Sequence, residues 1–316
     1  MSTLQASFAR LCVLASLSLL IAAGVVRAGP VLISGTDIDD HGSATASSNQ
    51  EGWLFLQRAL EAVGAKVKNG QKVVVCLGCN GQTATNAFNS AFDKSNLPAA
   101  GWTRKTVSSS TELNAFYTTS LAAGVQTIFG TGVIYMPSDR INAQGGLTEA
   151  QLDVINDNAS ALAQHLASGG GLVSLLQSGV ANGYGWLKGQ IPGLIVETTG
   201  IDASATLEAA ALLTVDFPTL TLDTLGAASH AHAHFKGALG GFGPLALGAA
   251  GSGSGPAEEE AKSSHNLAVI IGGANANFAD LGVHGVPVNH PAGLVLVLLG
   301  LAICASGRLL SRKRPA

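Results

Sequence analysis

The sequence predicts an α/β fold, a mostly parallel sheet flanked by helices, and three observations predict it. Apolar runs of strand length recur along the chain. They are continuous, not alternating, and segments of helical period with recognisable starts separate them. A strand covered on both faces reads as an unbroken apolar run, because neither face meets water; that is the pattern of parallel sheets. Strand and helix in alternation then place the connections over the sheet, as in α/β domains.

Five strands are read in order: "PVLISGT", "KVVVCL", "TGVIYMP", "GLVSLL" and "LAVIIGG". Three helices are marked by their starts. Ser48 with Glu51 has capping-box spacing before Trp53, Leu56 and Leu60. Ser109 with Glu112 repeats it before Leu113, Phe116 and Tyr117. Thr148 with Gln151 does so before Leu152, Ile155, Ala159, Leu162 and Leu166, a spacing that lays one apolar stripe against a sheet. "SGGG" ends that helix, since glycine readily takes the left-handed conformation of a helix stop. After residue 190 the pattern loosens into shorter strands and loops, and "GSGSGPAEEEAK" reads as a flexible connection between two strands.

The ends differ from the middle. Residues 1–28 read as a secretory signal, with Arg10, an apolar stretch and a small-residue cleavage site after Ala28. An uncleaved anchor is the alternative, although the stretch is shorter than the roughly 20 residues of a spanning helix. Residues 286–316 hold a second apolar run, 292–307, followed by Arg308, Arg312, Lys313 and Arg314. By the positive-inside rule this is a C-terminal membrane helix with a short cytoplasmic basic tail. Six of the 17 basic residues lie in these ends and all 20 acidic residues between them, so residues 29–285 carry a net charge of about −9. That excludes nucleic acid as a partner of this segment.

The tail, "VPVNHP" followed by an apolar helix and an arginine cluster, resembles the C-terminal sorting tails of PEP-CTERM-type exported bacterial proteins. The resemblance implies a cell-envelope location, an attachment to the membrane and an exosortase-like processing enzyme as a partner. Residues 30–180 carry a second resemblance. "LISGTDIDDHG", "YMPSDR" and "HLASGGGLVSLLQSG" look like the class I glutamine amidotransferase-like (flavodoxin-like) fold, in particular its ThuA-like relatives. Those amidotransferases carry a cysteine nucleophile at a sharp elbow. Here the corresponding position reads "LLQSGVANG" with Ser178 and no cysteine, so amidotransferase chemistry is not implied.

Four groups of residues offer chemistry. "TDIDDHG" gathers Asp37, Asp39, Asp40 and His41 after the first strand, where ligands sit in open α/β sheets. Close carboxylates call for a divalent cation; the other reading is a solvated acidic loop with Asp37 capping a turn. "SHAHAHF" puts His230, His232 and His234 at period two, on one face of a strand, able to share a metal ion; the other reading is an exposed edge strand. Cys76 and Cys79 read as a disulfide, with a redox-active pair as the alternative. Asp139 and Arg140 read as a loop ion pair, His165 as a surface or boundary residue, and Asn158 as lying within a helix. Two functions remain open. The first is a membrane-anchored envelope protein with a binding or structural role. The second is a hydrolase-like enzyme, metal-dependent or not, with Asp39, His41 and Ser178 as catalytic candidates at the carboxyl edge of the sheet.

Overall fold

The structure, a computed structural model, describes residues 29–118, 125–197, 203–204, 215–221, 230–248 and 267–276. The chain begins with β1 (Val31–Ser34), a hairpin of β2 (Gly42–Ala44) and β3 (Asn49–Glu51), helix α1 (Gly52–Gly64) and β4 (Val73–Leu77). Helix α2 (Gln82–Asp93), β5 (Thr103–Val107), α3 (Ser110–Tyr117) and β6 (Val133–Met136) follow. Then come α4 (Glu149–Asp157), α5 (Ala159–Ala167), β7 (Gly171–Ser174), the single turn α6 (Gly185–Lys188) and β8 (Leu194–Glu197). The remaining strands are β9 (Ala203–Ser204), β10 (His230–Ala231), β11 (His234–Gly237), β12 (Gly243–Gly248) and β13 (Leu267–Gly273).

The main sheet has the order β5-β4-β6-β7-β1-β13-β11-β8, with β12 also paired to β13. The half from β5 to β1 is parallel, and the rest joins by antiparallel pairs. Successive residues of each parallel strand serve opposite cores. Leu32, Val74, Cys76, Val133 and Tyr135 pack with α1 and α2. Ile33, Val75, Leu77, Ile134 and Met136 pack with α3, α4 and α5. Burial on both faces is why these strands are apolar throughout.

Four of the five strands read from sequence enter the parallel half. The fifth, "LAVIIGG", is β13 and runs antiparallel to β1, with Ile33 opposite Ile271. Apolar continuity reports burial and carries no information on direction. Strand β5, "TRKTV", lacks an apolar run because it lies at the sheet edge, exposed at every position but Val107.

The capping boxes of α3 and α4 form as expected, with Ser109 and Thr148 accepting from the amides of Glu112 and Gln151. The box at Ser48 does not. Ser48 is taken by the β2–β3 turn, its carbonyl accepting from the Thr45 amide at 2.9 Å. Glu51, at φ 53°, enters α1 without a side-chain cap. The long helix read from Thr148 to Leu166 is two helices, broken at Asn158, which takes φ −108° and ψ 20°. Cys76 and Cys79 form a disulfide at the carboxyl end of β4.

The expected membrane helix requires correction. Among the described residues no helix is long and apolar enough to cross a membrane. The fold class is therefore a mixed, mostly parallel sheet flanked by helices, without that helix. The single-pass topology, the membrane as a partner and the role of a membrane-anchored envelope protein lose their basis with it. The segments on which the signal and the tail were read, 1–28 and 286–316, lie outside the described residues.

His165 also departs from expectation. It is buried at the end of α5, its Nε2 3.2 Å from the Gly171 carbonyl oxygen. Burial lowers its pKa from 6.5 to about 4, against the opposing pull of the Gly171 and Ile128 carbonyls. The unfolded chain therefore binds a proton between these values that the folded chain refuses, and stability falls as pH drops from 6.5 towards 4. Buried Asp39, whose pKa is raised to about 6, has the opposite slope over part of this range, so a comparison of variants is needed. The stability advantage of wild type over His165→Gln, measured by denaturant unfolding, is expected to shrink by about 3 kcal/mol between pH 7 and pH 4. A constant difference would show that His165 is not held neutral.

Candidate metal centre

The site starts where β1 ends. Ile38 is wholly buried and pins the loop to the core. The amides of Asp40 and His41 both donate to the Asp37 carbonyl, at 2.9 and 3.4 Å, coiling the chain by one turn. That turn brings His41 Nε2 to 3.3 Å from Asp37 Oδ2. The His41 carbonyl is held in turn by the amide of Gly52 at the start of α1.

The third residue comes from the far side of the sequence. The segment joining β10 to β11 crosses the carboxyl end of β1, and the amides of His232 and Ala233 both donate to the Gly35 carbonyl, at 2.9 and 3.1 Å. Thr36 and Ala231 form a β-bridge beside them. This crossing sets His232 Nε2 3.5 Å from Asp37 Oδ2. Asp37, His41 and His232 thus form a cluster able to hold a divalent metal ion, with ligand atoms all within 4.8 Å of one another. Asp37 is buried, His232 partly so, and His41 is exposed.

His232 and His234 do not share the face that the period of two predicts. The chain bends at His232, so the period of two is broken between β10 and β11. His232 turns to Asp37, whereas His234 is buried against Glu197, with Nε2 3.3 Å from Oε2. His230 pairs through its backbone with Ser204 of β9, and its side chain lies outside the described residues.

The acidic loop divides likewise. Asp40 is exposed and outside the cluster. Asp39 turns inward and is wholly buried, its Oδ2 accepting from the Ser138 amide at 2.9 Å and the Tyr135 hydroxyl at 3.4 Å. Trp53 Nε1 donates to the Asp39 carbonyl at 2.9 Å. Burial pushes the Asp39 pKa up to about 6; the Ser138 hydroxyl and amide pull it down, and the Asp37 charge adds to the rise. Burial also raises Asp37, with His232 and His41 opposing.

The loops at the carboxyl edge are tied together. Ser138 joins the loop after β6 to Asp39, Leu176 N donates to the Thr36 carbonyl, and Asn80 N donates to the Gly145 carbonyl. Asp139 is a structural knot in this fabric. Its carboxylate accepts from the amides of Ile141, Asn142 and Gly179 and from the Asn142 side chain, at 2.7 to 3.2 Å. No ion pair joins Asp139 to Arg140 among the described residues; the backbone amides fill that carboxylate. Ser178, on the loop after β7, is partly exposed and no member of the metal cluster. Sequence reasoning missed Thr36, Tyr135 and Ser138. Tyr135 and Ser138 flank the strand end "YMPS", so their place at the carboxyl edge was the available sign.

Gly35 allows the crossing. A Cβ there would lie 1.9 Å from the Ala233 carbonyl oxygen, so the crossing segment would have to move. Gly35→Ala is expected to weaken metal binding about tenfold or more, as displaced supporting groups do, while far-ultraviolet circular dichroism stays close to wild type. Unchanged affinity would mean that the crossing does not place His232.

Comparison of the chain with protein-family models, with curated proteins and with solved structures finds no match, so the reading of the centre stands on its geometry.

Proposed function

We propose that this chain is a hydrolase-like enzyme that depends on a divalent metal, with its site at the carboxyl edge of the sheet. One observation carries the reading: a single buried carboxylate oxygen faces two imidazole nitrogens, at 3.3 and 3.5 Å. Those separations exceed a charge-assisted hydrogen bond of about 2.7–2.9 Å. They fit two ligands about 2.1 Å from one tetrahedral ion, which lie roughly 3.4 Å apart. Two imidazoles and one carboxylate are a donor set suited to Zn²⁺ and neighbouring first-row cations.

A divalent cation with three protein ligands supplies Lewis acidity to a carbonyl or phosphoryl group and to water. The protein does the rest. Asp37 forms the buried floor and brings the negative charge that draws the cation in. His232 stands at one flank, its backbone pinned to Gly35. His41 forms the outer wall, with 44% of its side chain exposed, so a substrate approaches from its side. Asp39 holds the loop by binding Ser138 and Tyr135, away from solvent. Both imidazoles ligate only when deprotonated, so metal affinity falls as pH falls.

Purified full-length chain, stripped with chelator, is expected to take up Zn²⁺ or Co²⁺ tightly. Asp37→Asn and His232→Ala should each weaken binding about tenfold or more. The reloaded protein should hydrolyse chromogenic ester or phosphoester probes, and lose this activity with chelator and in His232→Ala. If metal binds but wild type hydrolyses no faster than His232→Ala, the enzyme reading fails and a metal-binding protein remains. If no metal is retained, both fail.

A further inference from the structure

We propose that the centre holds a second, harder divalent cation on its inner side, bound by Asp37 Oδ1, Asp39 Oδ1 and the Ser138 hydroxyl, with Asp37 bridging the two ions. This rests on the metal-centre reading above and extends it inward.

Asp37 Oδ1, Asp39 Oδ1 and Ser138 Oγ are all buried; neither carboxylate oxygen has a hydrogen-bond partner, and the hydroxyl acts on the Asp39 carboxylate. Their residues are 4%, 0% and 0% exposed. A buried carboxylate oxygen without a partner forfeits its hydration for nothing, and such groups are normally paired or bound to a metal. Two such carboxylate oxygens on residues two apart, with a buried hydroxyl beside one of them, are what a cation would satisfy. The Asp39 carboxylate accepts the Ser138 amide at 2.9 Å, which brings the Ser138 side chain against it. Asp37 is two residues away and near enough for its charge to act on Asp39.

The two carboxylates are also divided between roles. Asp37 Oδ2 faces His41 and His232, and its other oxygen faces neither. Asp39 Oδ2 is occupied by Ser138 N and the Tyr135 hydroxyl, which leaves Oδ1. Bridging by Asp37 follows from this use of its atoms. The inner donor set is oxygen alone, with two negative charges and no imidazole, which suits Mg²⁺ or Mn²⁺ over the softer ions of the outer set. In hydrolases with two ions, the pair clamps the attacking and leaving oxygens from both sides.

Full-length chain, stripped and reloaded with one equivalent of Zn²⁺, is titrated with Mn²⁺ and followed by the electron paramagnetic resonance of free Mn²⁺. Wild type is expected to bind one Mn²⁺ per chain while retaining its Zn²⁺. Asp39→Asn and Ser138→Ala should each weaken Mn²⁺ about tenfold or more with Zn²⁺ retained. Ser138→Ala keeps the backbone amide that binds Asp39 and removes only the hydroxyl, so it decides the matter even if Asp39→Asn does not fold. Zn²⁺ bound without any Mn²⁺ would overturn the inner site and leave the outer one standing. Mn²⁺ bound equally well by Ser138→Ala would also overturn it. Retention of neither ion would overturn the outer reading and this one together.

Discussion

The Gly35 carbonyl accepts two amides, from His232 and Ala233, and most of the functional geometry depends on that junction. It lies one residue past β1, the strand at which the parallel half of the sheet meets the antiparallel half. Here two distant parts of the chain approach so closely that only a residue without a side chain fits. Without the junction, Asp37 and His41 would remain an acidic turn of the kind found on many protein surfaces. With it, an imidazole is delivered to a carboxylate already buried by the loop's own fold.

The supporting structure resists relaxation. The Asp39 carboxylate takes the Ser138 amide and the Asp139 carboxylate takes three more, and between them they fasten the loops after β1, β6 and β7 into one edge. Buried carboxylates are costly, and burial raises the pKa of Asp39 for that reason. Asp139 meets that cost with four donors, whereas Asp37 and Asp39 each keep one oxygen unanswered. The contrast between these acids, on loops joined to each other, separates scaffold from candidate chemistry.

What was legible in the sequence was what local pattern controls. Unbroken apolar runs marked four central strands because both faces are buried, and the capping boxes at Ser109 and Thr148 marked helices because those hydrogen bonds span three residues. Strand direction was not legible for β13, since burial does not depend on it. The box at Ser48 misled because the same serine also suits a hairpin turn, and the turn took it. For the site, the acidic loop after β1 stood out by position, and His232 was read only as one of three in its histidine run. Their meeting did not stand out, because a single bend in the run decides which histidine turns inward and which pairs with Glu197. No period in the sequence encodes that bend.

The pairing of the first strand with the last described one has a kinetic meaning. β1 contacts β13 along its whole length, and the centre needs residues from the loop after β1 and from the segment entering β11, which itself pairs with β13. Contacts between distant parts of a chain form slowly, because loop closure is unfavourable until the contact is made. On the ribosome, β1, β4, β5, β6 and β7 emerge well before β11 and β13. The parallel half then waits with one side of β1 unpaired, and the carboxylate at its end waits without His232. The ligand set closes only as the C-terminal strands dock, so the ability to hold a metal is acquired late, as a mark of completed folding.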